Sequence, residues 1–184
     1  KEKLISFIGK LNAAKGYDLF GSSIIKILNK HKDWKAIVIG DEPREKIQFK
    51  HKNLKILGFK SHKYVLNILK KVSISVVCSR WEEPFGRASL EACSRGCATI
   101  ITNKGGLPET TNHPVVIRNL TTDSLVKKIN YLIKNKKARK LIQKNNYRDF
   151  TYSHQYITKK IDNLRFNVFN FHESQKFKFT KNVC

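Results

Sequence analysis

The strongest constraint on this chain is a repeated alternation. Short runs that are apolar on both faces are followed by stretches whose apolar residues recur at helical spacing. The runs are LISFIG (4–9), AIVIG (36–40), LKILG (54–58), SISVVC (73–78), ATII (98–101) and VVI (115–117). A strand that is apolar at every position cannot turn either face to water. These runs therefore belong in a parallel sheet covered on both sides by helices. Between them, Phe20, Ile24, Ile27 and Leu28 fall on one helical face, and Val65, Ile68 and Leu69 follow Ser61, which can cap a helix. RASLEACSR (87–95) reads as a helix stopped by Gly96. Thr121 or Thr122 opens another helix, with Leu125, Ile129, Leu132 and Ile133 on one face, and two more helical segments are expected near 136–147 and 152–165.

Six such units predict an α/β domain over 1–165: a Rossmann-like three-layer α/β/α arrangement with a roughly six-stranded parallel sheet. Ligands of that architecture sit at the carboxyl ends of the strands. The loops that matter are then 9–16, 40–44, 58–61, 79–86 and 102–109. The tail, 166–184, breaks the pattern: it is rich in Phe and Lys, holds five of the eleven phenylalanines and has no clear period. Three readings stay open for it: disorder, packing on something outside this sequence, or membrane attachment in which Phe166, Phe169, Phe171, Phe177 and Phe179 enter the headgroup region while Lys176, Lys178 and Lys181 meet anionic lipid.

Composition narrows the function classes. The 184 residues carry 37 Lys+Arg against 14 Asp+Glu, a formal charge of +23. The positive charge is dispersed along several helices rather than gathered into a stripe, and KNKKARK (134–140) reads as a solvated helix face. That distribution favours peripheral attraction to an anionic membrane surface over specific nucleic-acid binding. No apolar run approaches the roughly 18 residues that a membrane-spanning helix needs. The start shows no signal-peptide pattern, and the chain has no methionine, so a piece cut from a longer protein is expected. Cys78, Cys93, Cys97 and Cys184 form no CxxC pair, and the six histidines form no ligand motif. Buried thiols in a reducing cytosol and no metal site are the expectations.

Three loops carry candidate chemistry. GKLNAAKG (9–16) is neither GxGxxG nor a P-loop, but it sets Lys10 and Lys15 on a strand-to-helix turn with Gly9 beside them. Two cations there suit a diphosphate and its departure as a leaving group; two surface lysines among many is the alternative. WEEPFGRASLEA (81–92) gathers three scarce carboxylates. Were Glu83 and Glu91 both helical they would lie about 12 Å apart along the axis, too far for a glycosidase pair at about 5 to 9.5 Å. Pro84 instead fixes Glu83 in the loop, the helix starts near Gly86, and the first free N–H groups, near Gly86, Arg87 and Ala88, form an anion site between the two acids. That order suits a ligand with hydroxyls at both ends and phosphate in the middle, a nucleotide sugar. An Arg87–Glu91 ion pair with Glu83 at the helix dipole is the alternative. NKGGLPE (103–109) adds a tight Gly105–Gly106 turn, with Pro108 and Glu109 starting a short helix.

Together, the GK…KG turn, GD (40–41), LGF (57–59), EPFGRASLE (83–91) and GGLPE (105–109) resemble the C-terminal, donor-binding domain of retaining glycosyltransferases of the family 4 type, which have the GT-B fold. The resemblance covers about 1–165 and implies catalytic roles for Lys10 and Lys15 on the donor diphosphate and for Glu83 at the donor sugar. It implies donor contacts from Gly9, Phe85, Gly86, Arg87 and Ala88, a ribose-binding carboxylate in Glu91, and Phe59 at the base. Lysine at position 10, where the family more often has arginine, keeps charge but loses the bidentate fork. It also implies a UDP- or GDP-linked sugar as substrate with no cofactor or metal, and front-face transfer in which the leaving phosphate takes the acceptor proton. The implied partners are a glycan or lipid-linked acceptor and the N-terminal acceptor domain of the same full-length enzyme, which this sequence lacks. The place of action implied is the cytoplasm, peripherally at the inner face of the cytoplasmic membrane. A chain holding only this half is expected to transfer no sugar by itself. The reading from another class is a non-catalytic basic module that binds anionic membrane or nucleic acid on the same fold.

Overall fold

The structure, a computed structural model, describes residues 1–45 and 47–181, with side chains through residue 172. Six strands, β1 (Leu4–Ile8), β2 (Lys35–Ile39), β3 (Leu54–Ile56), β4 (Ile74–Val77), β5 (Ala98–Thr102) and β6 (Val115–Ile117), form one sheet in the order β3-β2-β1-β4-β5-β6. Every pairing is parallel. The order reverses between β1 and β4, so the crevice at their carboxyl ends is where this fold receives a ligand. The expected Rossmann-like α/β/α domain is therefore present.

The helices are α1 (Tyr17–Lys30), α2 (His62–Leu69), α3 (Arg87–Ser94), α4 (Thr122–Lys134), α5 (Lys136–Arg148) and α6 (His154–Lys181), with one 3-10 turn at Leu107–Thr110. Strand alternation divides the core. Ile5, Phe7, Val38, Ile74 and Val76 face α1 and α4, meeting Phe20, Ile24, Leu125 and Ile129. Leu4, Ile37 and Ile39 face the opposite layer, meeting Val65, Leu69 and Ala92 of α2 and α3. Ser61 caps α2 through Tyr64 N, and Thr121 rather than Thr122 caps α4 through Ser124 N. No helix separates β2 from β3 among the described residues. The connection folds back so that Phe49 meets Tyr17 edge-on, ring centroids 5.5 Å apart.

Two expectations are corrected. KNKKARK is not all solvated: Arg139 is buried, its guanidinium donating to the carbonyls of Leu132 and Ile133 and lying over the Trp34 ring. It closes the carboxyl end of α4, where unpaired carbonyls concentrate negative potential. Burial lowers the pKa of this arginine. The tail also has a secondary structure and a period. The chain divides into compact units at 149/150, and α6 runs unbroken through the 165/166 boundary expected from sequence. Counted from Ile157, the spacing 4-3-4-3 links Ile157, Ile161, Leu164, Val168 and Phe171, all exposed. The side chains of Lys176, Phe177, Lys178, Phe179 and Lys181, and Cys184 altogether, lie outside the described residues. No described helix is long and apolar enough to cross a membrane. Cys78, Cys93 and Cys97 are free and buried, and burial pushes the Cys78 thiol up to about 12.

Candidate functional site

The two central loops of the site leave β1 and β4 at the switch point, and close backbone packing sets how near they come. The β1 loop ends at Gly16, in a left-handed conformation at φ 75°, where a Cβ would stand 2.0 Å from the Cys78 carbonyl oxygen. Only glycine lets α1 begin that close to the end of β4. The β4 loop is then clamped on the β1 loop. Arg80 N donates to Ala14 O, the Arg80 guanidinium donates to both Asp18 oxygens at 2.7 Å, and Ser79 Oγ donates to Ala14 O. The Arg80 guanidinium holds the Asp18 carboxyl below its ordinary pKa.

From beneath, the β5 loop supports the same segment. Gly105, at φ 51°, packs where a Cβ would lie 2.2 Å from Glu83 O, and Gly106 N donates to that oxygen at 2.7 Å. Glu82 accepts from Lys104 Nζ at 2.7 Å and Gly105 N at 2.5 Å, which lowers its pKa. The double glycine of GGLPE thus cradles the backbone that carries Glu83.

The result is a cavity of about 440 Å³ at the ends of β1 and β4. Lys15 reaches Glu83 across it, Nζ to Oε1 at 2.6 Å, with the carboxylate side chain only 12% exposed. Gly86 precedes α3 at φ 90°, so Gly86, Arg87 and Ala88 bring the start of that helix to the cavity wall. Glu91, one turn into α3, faces the same cavity, its side chain 16% exposed. Its Oε1 meets His62 Nε2 at 3.2 Å and the exposed Arg87 guanidinium at 3.5 Å. Chemically the wall offers Lys15, Lys60 and Arg87, two acids and a helix amino terminus, a combination able to bind an anion flanked by hydroxyls.

Of the residues singled out from sequence, Gly9, Lys15, Phe59, Glu83, Gly86, Arg87, Ala88 and Glu91 all line this cavity. Two do not. Lys10 is exposed and its charge falls on Glu42, while Phe85 contributes to the loop through its backbone, packed against Gly106. The Arg87–Glu91 contact exists but is long, and Glu83 is held by Lys15 rather than by the dipole of α3. Lys60 and Ser79, inside loops expected to matter but not singled out there, and His62, one position beyond such a loop, also line the cavity. His62 follows a recognised cap residue at the end of the β3 loop, which was the available signal. Among the described residues no group of three or more His, Cys, Asp or Glu is placed to hold a metal ion.

Comparison with known proteins adds a second line of findings. Residues 1–149 match the model of the family described as glycosyl transferases group 1. The chain is 34% identical over 119 residues to the 2-deoxystreptamine N-acetyl-D-glucosaminyltransferase of Niallia circulans, covering 61% of this chain and 30% of that protein. It superposes on the crystal structure of the C-terminal domain of a glycosyl transferase group 1 family protein, LpcC, from Francisella tularensis. The TM-score is 0.71 at 27% identity, covering 84% of this chain and 86% of the other. Anabaena HepE, crystallised with UDP-glucose, shares the fold at TM-score 0.73 and 17% identity, over 89% of this chain and 49% of that one. The matched segment spans less than a third of the first curated relatives, 28% and 30% of their lengths.

Proposed function

The chain belongs to the glycosyl transferases group 1 family, and from that premise we propose that its cavity binds a nucleotide-diphospho-sugar for retaining transfer of a hexosyl group. The observation that carries the proposal is that Glu83, Glu91, Lys15 and the start of α3 line one cavity, with Lys15 paired to Glu83. In this reading the diphosphate lies against Lys15 and the N–H groups of Gly86, Arg87 and Ala88. The lysine and the helix terminus then stabilise the charge that grows as the diphosphate leaves. Glu91 accepts from the ribose hydroxyls, Phe59 borders the base, and Glu83 accepts from the donor sugar. Lys10 contributes long-range attraction rather than contact. The donor is UDP- or GDP-linked, and the reaction needs no metal from this half.

The acceptor in this reading is a cell-surface glycan or a lipid-linked precursor, met in a cleft with a second domain of the full-length enzyme. The charge of +23 supports peripheral attraction to the anionic inner face of the cytoplasmic membrane. Thermal-shift measurements with UDP, GDP and ADP, without divalent metal, test the donor site directly. One of the three should raise the melting temperature in a concentration-dependent way. No stabilisation by any of them at millimolar concentration would remove the proposal.

A further inference from the structure

The two tryptophans sit in opposite surroundings. Trp34 is 3% exposed beneath the Arg139 guanidinium, whereas Trp81 is 59% exposed on the loop that carries Glu83. This exposure does not come from a loose loop. Trp81 N donates to Ala14 O at 3.2 Å and to Ser79 Oγ at 3.2 Å. On one side Arg80 is locked to Asp18, and on the other Glu82 is locked to Lys104 and Gly105. Two residues further on, Glu83 turns into the cavity and is nearly covered, and Phe85 is again part-exposed. A fixed backbone therefore holds an exposed indole two positions before the residue whose carboxylate the donor reading gives to the transferred sugar.

An indole with few free torsions on a clamped backbone loses little freedom when it is covered. Its face carries negative quadrupole potential, which suits the weakly positive C–H edges on one side of a pyranose ring. The adjacent Glu82, its side chain 64% exposed, can accept from a hydroxyl of that ring. We propose that Trp81 is an acceptor-side carbohydrate platform: outside the cavity lining but on the loop that carries Glu83, it stacks a pyranose ring of the acceptor glycan. The acceptor hydroxyl is thereby presented toward the donor sugar next to Glu83. This assignment rests on the donor-site reading above, because a sugar on Trp81 is productive only with a donor in the neighbouring cavity.

The two indole N–H signals of the protein separate the outcomes in a two-dimensional ¹H–¹⁵N spectrum. The probes are methyl α-D-glucopyranoside and methyl α-D-mannopyranoside, with glycerol as an acyclic polyol control, each with and without UDP. A methyl glycoside should shift the Trp81 indole signal saturably, glycerol should not, and the Trp34 signal should stay in place. Trp81→Phe should weaken sugar binding several-fold and Trp81→Ala should abolish it, both followed on backbone amides, with the UDP-induced melting shift unchanged. A Trp81 signal indifferent to both glycosides, or undiminished sugar binding in Trp81→Ala, would overturn the platform while leaving UDP stabilisation, and so the donor site, standing. UDP alone moving Trp81, with no further effect of sugar, would reassign the indole to the donor and overturn it equally. Sugar binding in a protein that UDP fails to stabilise would overturn the acceptor assignment together with the donor reading.

Discussion

Lys15 Nζ stands 2.6 Å from Glu83 Oε1, across 68 positions of sequence. The pair joins the loop after β1 to the loop after β4, at the point where the strand order reverses. Under the proposed donor reading, a diphosphate bound to Lys15 competes with Glu83 for the ammonium and frees the carboxylate for sugar hydroxyls. Lys15→Ala should therefore weaken UDP or GDP binding, on the order of tenfold to a hundredfold for a lost charge-assisted hydrogen bond. Glu83→Gln should leave the free diphosphate bound as tightly or more tightly. Calorimetric titration checks both, and a Glu83→Gln loss equal to that of Lys15→Ala would contradict these roles.

Glu91 is expected to serve the nucleoside rather than the sugar. Glu91→Ala should weaken the free nucleotide and the nucleotide sugar alike, by about 1.5–3 kcal/mol if the carboxylate accepts from the ribose hydroxyls. Glu83→Ala should instead weaken the nucleotide sugar selectively. Parallel titrations with UDP and UDP-glucose, or with GDP and GDP-mannose, distinguish the patterns.

Gly16 sets how closely the two loops approach. Gly16→Ala would place a Cβ 2.0 Å from the Cys78 carbonyl oxygen in a backbone conformation at φ 75°. It should destabilise the fold by about 3 kcal/mol or more, strain and clash together. Urea unfolding should show a lower midpoint at unchanged slope, and the Lys15–Glu83 contact should loosen in step.

Glu42 supplies a pH test. Arg44 donates to both of its oxygens, at 2.7 and 3.0 Å, and holds its pKa at about 2 against an ordinary 4.5. Because the folded value is the lower one, the stabilisation is complete above about 4.5 and is lost as pH falls toward 2. Arg44→Ala should thus melt below wild type at neutral pH, with the difference narrowing through that acid window. A difference that grows as pH falls would reverse the assignment.

Arg139→Leu tests the corrected reading of 134–140. Removing the guanidinium strands the Leu132 and Ile133 carbonyls and uncovers Trp34, so the melting temperature should fall by several degrees. Arg139→Lys should rescue only in part, since an ammonium lacks the planar fork that serves both carbonyls and the ring. For the remaining, exposed lysines, sedimentation with anionic vesicles should show binding that weakens with salt and is absent with neutral lipid.

The sequence by itself determined the sheet and the address of the candidate cavity. Strand segments apolar on both faces can be satisfied only in a covered parallel sheet, and such a sheet puts its ligand at the strand ends. Pro84 and Gly86 likewise fix where α3 begins, so the separation of Glu83 in the loop from Glu91 in the helix was legible. Tertiary structure alone decided which charges meet. Lys10 and Lys15 look equivalent along the chain, yet Gly16 packs against Cys78 and turns only Lys15 toward Glu83. Arg139 reads as one more solvated cation until α4 ends beside it, and His62 reads as a cap neighbour until α2 and α3 pack together. The physical reason is common to these cases. Local spacing fixes backbone conformation, whose preferences are short-range, whereas the partner of a side chain depends on how closely two distant backbones can approach.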